Sequence, residues 1–140
     1  IVENLRYASG ELQRAGVRLL IEPINTRDMP GFFLNTSRQA LDLIADVGSP
    51  NLFLQYDVYH MHVMEGDLAP TISRALALIK HVQIADNPGR HEPGSGEIDY
   101  PSIIRHLDHV GYDGWVGAEY KPATTTLDGL GWMARLGAAS

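Results

Sequence analysis

The sequence predicts an α/β fold, one helix followed by four strand-helix pairs, corresponding to about half of an eight-stranded (β/α)8 barrel. Three observations carry this expectation. Four short apolar runs, around Leu19–Asn25, Leu52–Asp57, His81–Asp86 and Trp115–Glu119, alternate with amphipathic stretches. Helical crossovers between successive strands make the strands parallel, since antiparallel neighbours need only a short turn. Each run also delivers a polar side chain at its C-terminal end: Glu22, Asp57, Gln83 and Glu119. A doubly wound open sheet fits the alternation equally well, but it gathers its site at one switch point, so polar groups on all four strand ends favour the barrel. Four strands do not close such a barrel. The chain therefore reads as a single domain over residues 1–140 that pairs with a preceding half or with a second copy, an open sheet edge being an invitation to pair.

The elements follow in order. Val2, Leu5, Ala8, Leu12 and Ala15 recur at spacings of three and four, which predicts a helix stopped at Gly16. The Glu22 strand comes next, then a loop rich in turn formers from Asn25 to Asn35. Asn35 or Thr36 caps a helix whose apolar face is Ala40, Leu41, Ile44 and Val47, ended by Gly48-Ser49-Pro50. After the Asp57 strand a loop carrying Tyr59, His60 and His62 leads to Asp67, read as the cap of a helix through Ile72, Leu76 and Ile79. The His81–Ala85 strand opens into the longest loop, Asp86 to Glu97, where Pro and Gly are too frequent for helix or strand. Pro101 suits the first turn of a helix through Ile103, Ile104, Leu107 and Val110. Gly111 to Gly114 turns the chain into the Glu119 strand, and a last helix is expected over Leu127–Leu136.

Composition removes several function classes. Hydrophobic residues make up 44% of the chain, enough for a core of this size. Eleven basic against seventeen acidic residues give a net charge of −6, with no basic stripe for phosphates, so nucleic acid is not the expected partner. No apolar run approaches the roughly 20 residues of a membrane span, and no signal peptide is legible. The absence of cysteine excludes disulfides and thiolate chemistry and is compatible with a reducing cytoplasm, the expected location. The chain starts inside a helix without an initiator Met, and so reads as a piece of something longer.

The polar strand ends suggest the chemistry. Glu22, Asp57 and Glu119 supply carboxylates and Gln83 an amide carbonyl, a donor set that suits a hard divalent cation such as Mg²⁺ or Mn²⁺ better than zinc. His60, three residues past Asp57, reaches the same cavity as a ligand or as a donor to a substrate oxygen. Arg90, in the glycine-rich loop, matches a substrate carboxylate with its planar fork. Other polar residues read more plainly. Asp86 orients its loop by accepting backbone hydrogen bonds; His81, His106 and His109 face solvent or satisfy local partners; Lys121 pairs with an acid; Tyr120 and Trp115 pack. Gly94-Ser95-Gly96 lacks the Lys and helix entry of a phosphate loop.

Five segments then carry a resemblance: Ile21-Glu22-Pro23-Ile24-Asn25, Gln55-Tyr56-Asp57-Val58-Tyr59-His60-Met61, His81 to Pro88, Glu92-Pro93-Gly94-Ser95-Gly96-Glu97-Ile98, and Gly117-Ala118-Glu119-Tyr120-Lys121-Pro122. In this order they resemble the hydroxypyruvate isomerases of the xylose-isomerase-like TIM barrel superfamily, over essentially the whole chain and matching the C-terminal half of that family's protein. The resemblance implies a barrel whose last four strands are present here, with Glu22, Asp57, Gln83 and Glu119 holding a divalent metal, Glu22 and Glu119 also exchanging protons, and His60 and Arg90 contacting substrate. Gln83 stands where sugar epimerases of the superfamily usually carry His, which shifts the expected substrate from a long sugar to a short hydroxy or oxo acid. The implied reaction interconverts hydroxypyruvate and tartronate semialdehyde through an enediolate, with no nucleotide or redox cofactor. The alternatives are a 2-oxo-tetronate isomerase, a ketose 3-epimerase, or, from another class, an inactive half barrel serving as a structural or binding module. The half barrel alone is expected to be inactive and either oligomeric or poorly soluble.

Overall fold

A computed structural model describes residues 1–137. Helix α1 (Val2–Arg14) leads into β1 (Leu19–Ile21), α2 (Ser37–Val47), β2 (Leu52–Asp57), α3 (Val58–Met64), α4 (Leu68–Ala75), β3 (Ile79–Ile84), α5 (Tyr100–His109), β4 (Trp115–Ala118), α6 (Thr126–Gly129) and α7 (Trp132–Gly137). The four strands form one sheet in the order β1-β2-β3-β4, every neighbouring pair parallel. Spatial order equal to chain order is the arrangement of a barrel segment; a doubly wound sheet would reverse direction at a switch point.

The two faces of the sheet have different fates, because successive side chains alternate. Leu52, Leu54 and Tyr56 of β2, with Val82 and Ile84 of β3, are buried against the helices in one core that also takes Ala40, Ile44, Ile72, Ile103 and Leu107. On the opposite face Phe53, Gln55, His81 and Gln83 are only half buried. In a closed barrel this face is the interior. Asp57 alone among the strand residues of that face is fully enclosed, at 0% exposure.

Helix termini follow the local chemistry. Thr36 caps α2 through a reciprocal capping box with Gln39, and Gly48 ends it in the left-handed region at φ 65°. Pro101 occupies the first turn of α5, and Asp99 caps that helix by accepting from the Ser102 backbone N–H.

Five expectations are corrected. The stretch after Asp57 is not a loop: Asp57 ends β2 and at once caps α3, its carboxylate accepting the His60 backbone N–H at 3.1 Å. Asp67 precedes α4, but its side chain makes no capping bond. That helix stops at Ala75, and Ile79 begins β3, because Leu78 folds back on the Ala75 carbonyl in a turn. The last helix is two short ones, α6 and α7, separated by Leu130 and Gly131. Trp115 does not pack; it is 82% exposed on the edge strand β4.

The long loop from Asp86 to Glu97 is ordered around one carboxylate. Asp86 is completely buried; its Oδ1 accepts the backbone N–H groups of Asn87 and Ile98, and its Oδ2 that of Gly94. Gly96 allows the loop to close, since a Cβ there would lie 2.6 Å from Asp86 Oδ1 and closer still to the Asn87 carbonyl. The expectation that Asp86 orients the loop is thereby met.

Candidate active site

Strand register brings the predicted polar residues to one end of the sheet. Ile21 pairs with Leu54, so Glu22, the next residue, stands level with Gln55. Asp57 pairs with Gln83, and Gln83 with Gly117. Glu119 follows β4 directly, its N–H bonded to the Ile84 carbonyl at 3.1 Å.

Gln55 ties the first group together. Its Nε2 donates to Glu22 Oε2 at 2.8 Å and to Gln83 Oε1 at 2.5 Å, using both amide hydrogens. The carbonyl oxygen of Gln83 keeps a second lone pair. Arg90 ties the second group: its Nη2 donates to Glu119 Oε2 and lies 3.9 Å from Asp57 Oδ2, while its guanidinium sits 5.6 Å from the Tyr59 ring centre. Arg90 takes a left-handed backbone conformation, φ 57°, uncommon for a residue with a side chain and of the kind found at binding sites. His60, 1% exposed, places Nε2 3.8 Å from Asp57 Oδ2. Of the other residues read from sequence, Lys121 makes no ion pair with an acid among the described residues; its backbone N–H bonds the Arg90 carbonyl at 2.7 Å, and its carbonyl lies 2.8 Å from His91 Nδ1. Tyr120 packs edge-on against Trp132, and His106 bonds Ser73.

The electrostatics are those of carboxylates crowded out of water. Burial pushes Glu22 up to about 7, with repulsion from Asp57 and Glu119 adding and Arg90 and Gln55 opposing. Burial likewise raises Asp57 to about 6, against the His60 backbone N–H and Arg90. Burial, then Arg90, lowers His60 to about 4. Burial acts to raise Asp28 as well, but hydrogen bonds from Asn25 and Tyr59 outweigh it and hold that carboxyl below its usual value.

A cation fits these residues. Glu22 Oε1 and Asp57 Oδ2 are buried and have no hydrogen-bond partner, the state in which a buried carboxylate oxygen is costly unless a positive charge meets it. Ligand atoms of Glu22, Asp57 and His60 lie within 4.8 Å of one another. Gln83 stands one hydrogen bond away through Gln55, and Glu119 one away from Arg90.

This predicts an unusual pH response. Folded values of about 7 and about 6 exceed the ordinary carboxylate values, so the stability these groups contribute is present below about pH 4 and is lost as pH rises through 6 and 7. His60, depressed, gives the opposite slope up to about pH 6.5 and offsets part of it. The net expectation is that metal-free protein loses stability between about pH 5 and 8, read as a falling Tm. A divalent cation held by the ionised carboxylates, supplied as Mg²⁺ or Mn²⁺, should restore it most at the alkaline end. Thermal melts at several pH values test this; a metal-free Tm that is level or climbs, or that ignores both cations, removes the buried carboxylate pair from the account.

Gln55 and Asn25 were not singled out from sequence as site residues. Gln55 was legible in principle, since it lies two residues before Asp57 and so shares its face of β2. Asn25 was not: its partner is His60, 35 residues away.

Fold and site together define a (β/α) barrel protein with a polyvalent polar site at the C-terminal strand ends. The chain belongs to the xylose isomerase-like TIM barrel family, whose model matches residues 1–136. It is 56% identical to hydroxypyruvate isomerase of Escherichia coli K12, over 95% of this chain and 52% of that protein. It is 48% identical to 2-oxo-tetronate isomerase of Cupriavidus necator, over 94% of this chain and 51% of that protein. A solved Brucella melitensis structure described as an AP endonuclease of family 2 superposes with a TM-score of 0.92 at 46% identity, covering 96% of this chain and 52% of that one. The chain thus spans about half the length of the curated relatives it matches, and its four strands are a half barrel relative to theirs.

Proposed function

We propose that these residues form the catalytic end of an isomerase that interconverts hydroxypyruvate and tartronate semialdehyde. The observation that carries the reading is the set of three buried, unpartnered polar atoms, Glu22 Oε1, Asp57 Oδ2 and Arg90 Nε. Two buried anionic oxygens ask for a cation, and a buried guanidinium N–H asks for an acceptor such as a substrate carboxylate. A short oxo acid answers the second need, and the names borne by the two isomerase relatives point to the same class.

The reaction moves one proton between adjacent carbons and one between their oxygens, with no net oxidation. A carboxylate takes the proton from the carbon next to the carbonyl, leaving an enediolate; a second carboxyl delivers a proton to the neighbouring carbon as the carbonyl moves across. We assign these roles to Glu22 and Glu119, which follow the two outer strands. Glu22 is suited by its place at the end of β1 and by its carboxylate, whose Oε2 is held by Gln55 while Oε1 has no hydrogen-bond partner and can face the substrate as well as a cation. Arg90 orients the acid end of the substrate, and His60 addresses a substrate oxygen. Glu22, Asp57, Gln83 and Glu119 would hold Mg²⁺ or Mn²⁺, which when bound supplies Lewis acidity for the negative charge on the substrate oxygens.

The 2-oxo-tetronate reaction needs the same proton chemistry on one more carbon and is the second reading, favoured by the Cupriavidus relative. Nuclease action, the name borne by the Brucella structure, sits poorly with a net charge of −6. The test is an assay of a complete barrel carrying these residues, in deuterated solvent, with hydroxypyruvate, 2-oxo-tetronate and a ketose sugar. Faster turnover of hydroxypyruvate with deuterium at the exchanging carbon is expected, and Arg90→Ala should raise KM about 10- to 100-fold while lowering kcat less. Preference for the ketose, or an Arg90→Ala defect confined to kcat, overturns the oxo-acid reading.

A further inference from the structure

We propose that Asn25 is a positioning residue that holds His60 in the tautomer carrying its proton on Nε2, so that His60 serves the site as a hydrogen-bond donor and not as a metal ligand. This deepens the reading of the site given above and rests on it for the role of the donor. The tautomer itself follows from hydrogen-bond geometry alone.

Two groups of Asn25 meet His60 Nδ1. The backbone N–H of Asn25 donates to it at 3.3 Å, and the side-chain amide nitrogen lies 2.7 Å from it. A backbone N–H is a donor only. The side-chain amide is oriented just as firmly, although its two ends look alike, because Asn25 Oδ1 takes the Asp28 backbone N–H at 2.8 Å, which only an oxygen accepts. The other end is therefore NH₂, and its second hydrogen goes to Asp28 Oδ2 at 3.1 Å. Tyr59 donates to that same Asp28 oxygen at 2.8 Å and holds it as an acceptor. Asn25 is fully buried, and each of its polar atoms is matched, so the arrangement has no spare partner to exchange.

Two donors on Nδ1 leave that nitrogen as the acceptor. A neutral imidazole has one N–H, which then stands on Nε2. Nε2 is the atom 3.8 Å from Asp57 Oδ2, one of the unpartnered oxygens of the site. Protonated, it has no lone pair in the ring plane for a cation. Of the three groups whose atoms lie within 4.8 Å, only the carboxylates of Glu22 and Asp57 then coordinate, and His60 presents an N–H beside them, suited to a carbonyl or hydroxyl oxygen of the substrate. For Nε2 to ligate as a neutral imidazole, the proton would have to move to Nδ1, against a backbone N–H that has no way to turn.

The test reads nitrogen shifts of ¹⁵N-histidine-labelled protein at about pH 7.5, above the ordinary histidine value. His60 is expected to show a lone-pair type Nδ1 and a protonated Nε2, both unchanged by saturating Mg²⁺. Asn25→Asp, which sets an acceptor in place of the amide donor while the backbone N–H still donates, should shift part of the population toward a protonated Nδ1. A His60→Gln variant should bind Mn²⁺ within about threefold of the parent, where loss of a ligand costs on the order of 100-fold. A protonated Nδ1 in the parent, a His60 shift driven by Mg²⁺, or a large loss of Mn²⁺ affinity in His60→Gln overturns the proposal. None of these readouts needs turnover, so a failure of the isomerase reading would show separately, as absent activity with the His60 spectrum as expected.

Discussion

Glu22→Gln, introduced into a complete barrel carrying these residues, is expected to lower kcat by about 10³-fold while leaving the fold intact. The substitution is nearly isosteric, and the new carbonyl oxygen still accepts the Gln55 amide that Glu22 Oε2 accepts now, so the link across β1, β2 and β3 survives. What disappears is the group able to take a proton from carbon, together with one negative charge facing the unpartnered oxygen of Asp57. Because that charge is held up at about 7 chiefly by burial, its removal relieves the metal-free protein at alkaline pH. Circular dichroism should therefore be unchanged and the metal-free Tm at about pH 8 equal or higher. Glu119→Gln should abolish turnover from the opposite strand. A rate within threefold of the parent in either variant removes the two-carboxylate mechanism.

Asp86→Ala is expected to cost about 4 kcal/mol, roughly 10 °C in Tm. Three backbone N–H groups, of Asn87, Gly94 and Ile98, converge on this buried carboxylate and lose that acceptor when it is truncated. The loop it organises also carries Arg90. Asp86→Asn separates packing from hydrogen bonding: it keeps the volume and one acceptor oxygen, and should recover about half of the loss. Chemical denaturation measures both; a loss under 1 kcal/mol in Asp86→Ala would show that the loop is held by other contacts.

The half-barrel topology was legible because its determinants are local and periodic. Alternation of apolar runs with amphipathic stretches predicts strands and helices, and crossovers of that length leave only parallel pairing. Pro101, Thr36 and Gly48 marked helix ends through constraints that act within one turn. The errors came where short-range signals compete. The seven residues of α3 are too few for a periodic pattern to register, and the helix forms because Asp57, read only as a site acid, also caps it. Trp115 was read as packing; on the edge strand β4 it is 82% exposed, because a sheet edge has a neighbouring strand on one side only.

For the site, residue types and their places along the chain set the available chemistry: three carboxylates, an amide and an imidazole at or near strand ends, and a guanidinium in the long loop after β3. Which of them share hydrogen bonds came from the packing of distant segments. The register of three parallel pairs set Gln55 between Glu22 and Gln83, and a fold that returns Asn25 to His60 chose which imidazole nitrogen carries the proton. The physical reason is one of range. Residue type and strand end are properties of neighbours in the chain, whereas hydrogen-bond partnership and desolvation depend on atoms brought within about 3 Å from segments tens of residues apart.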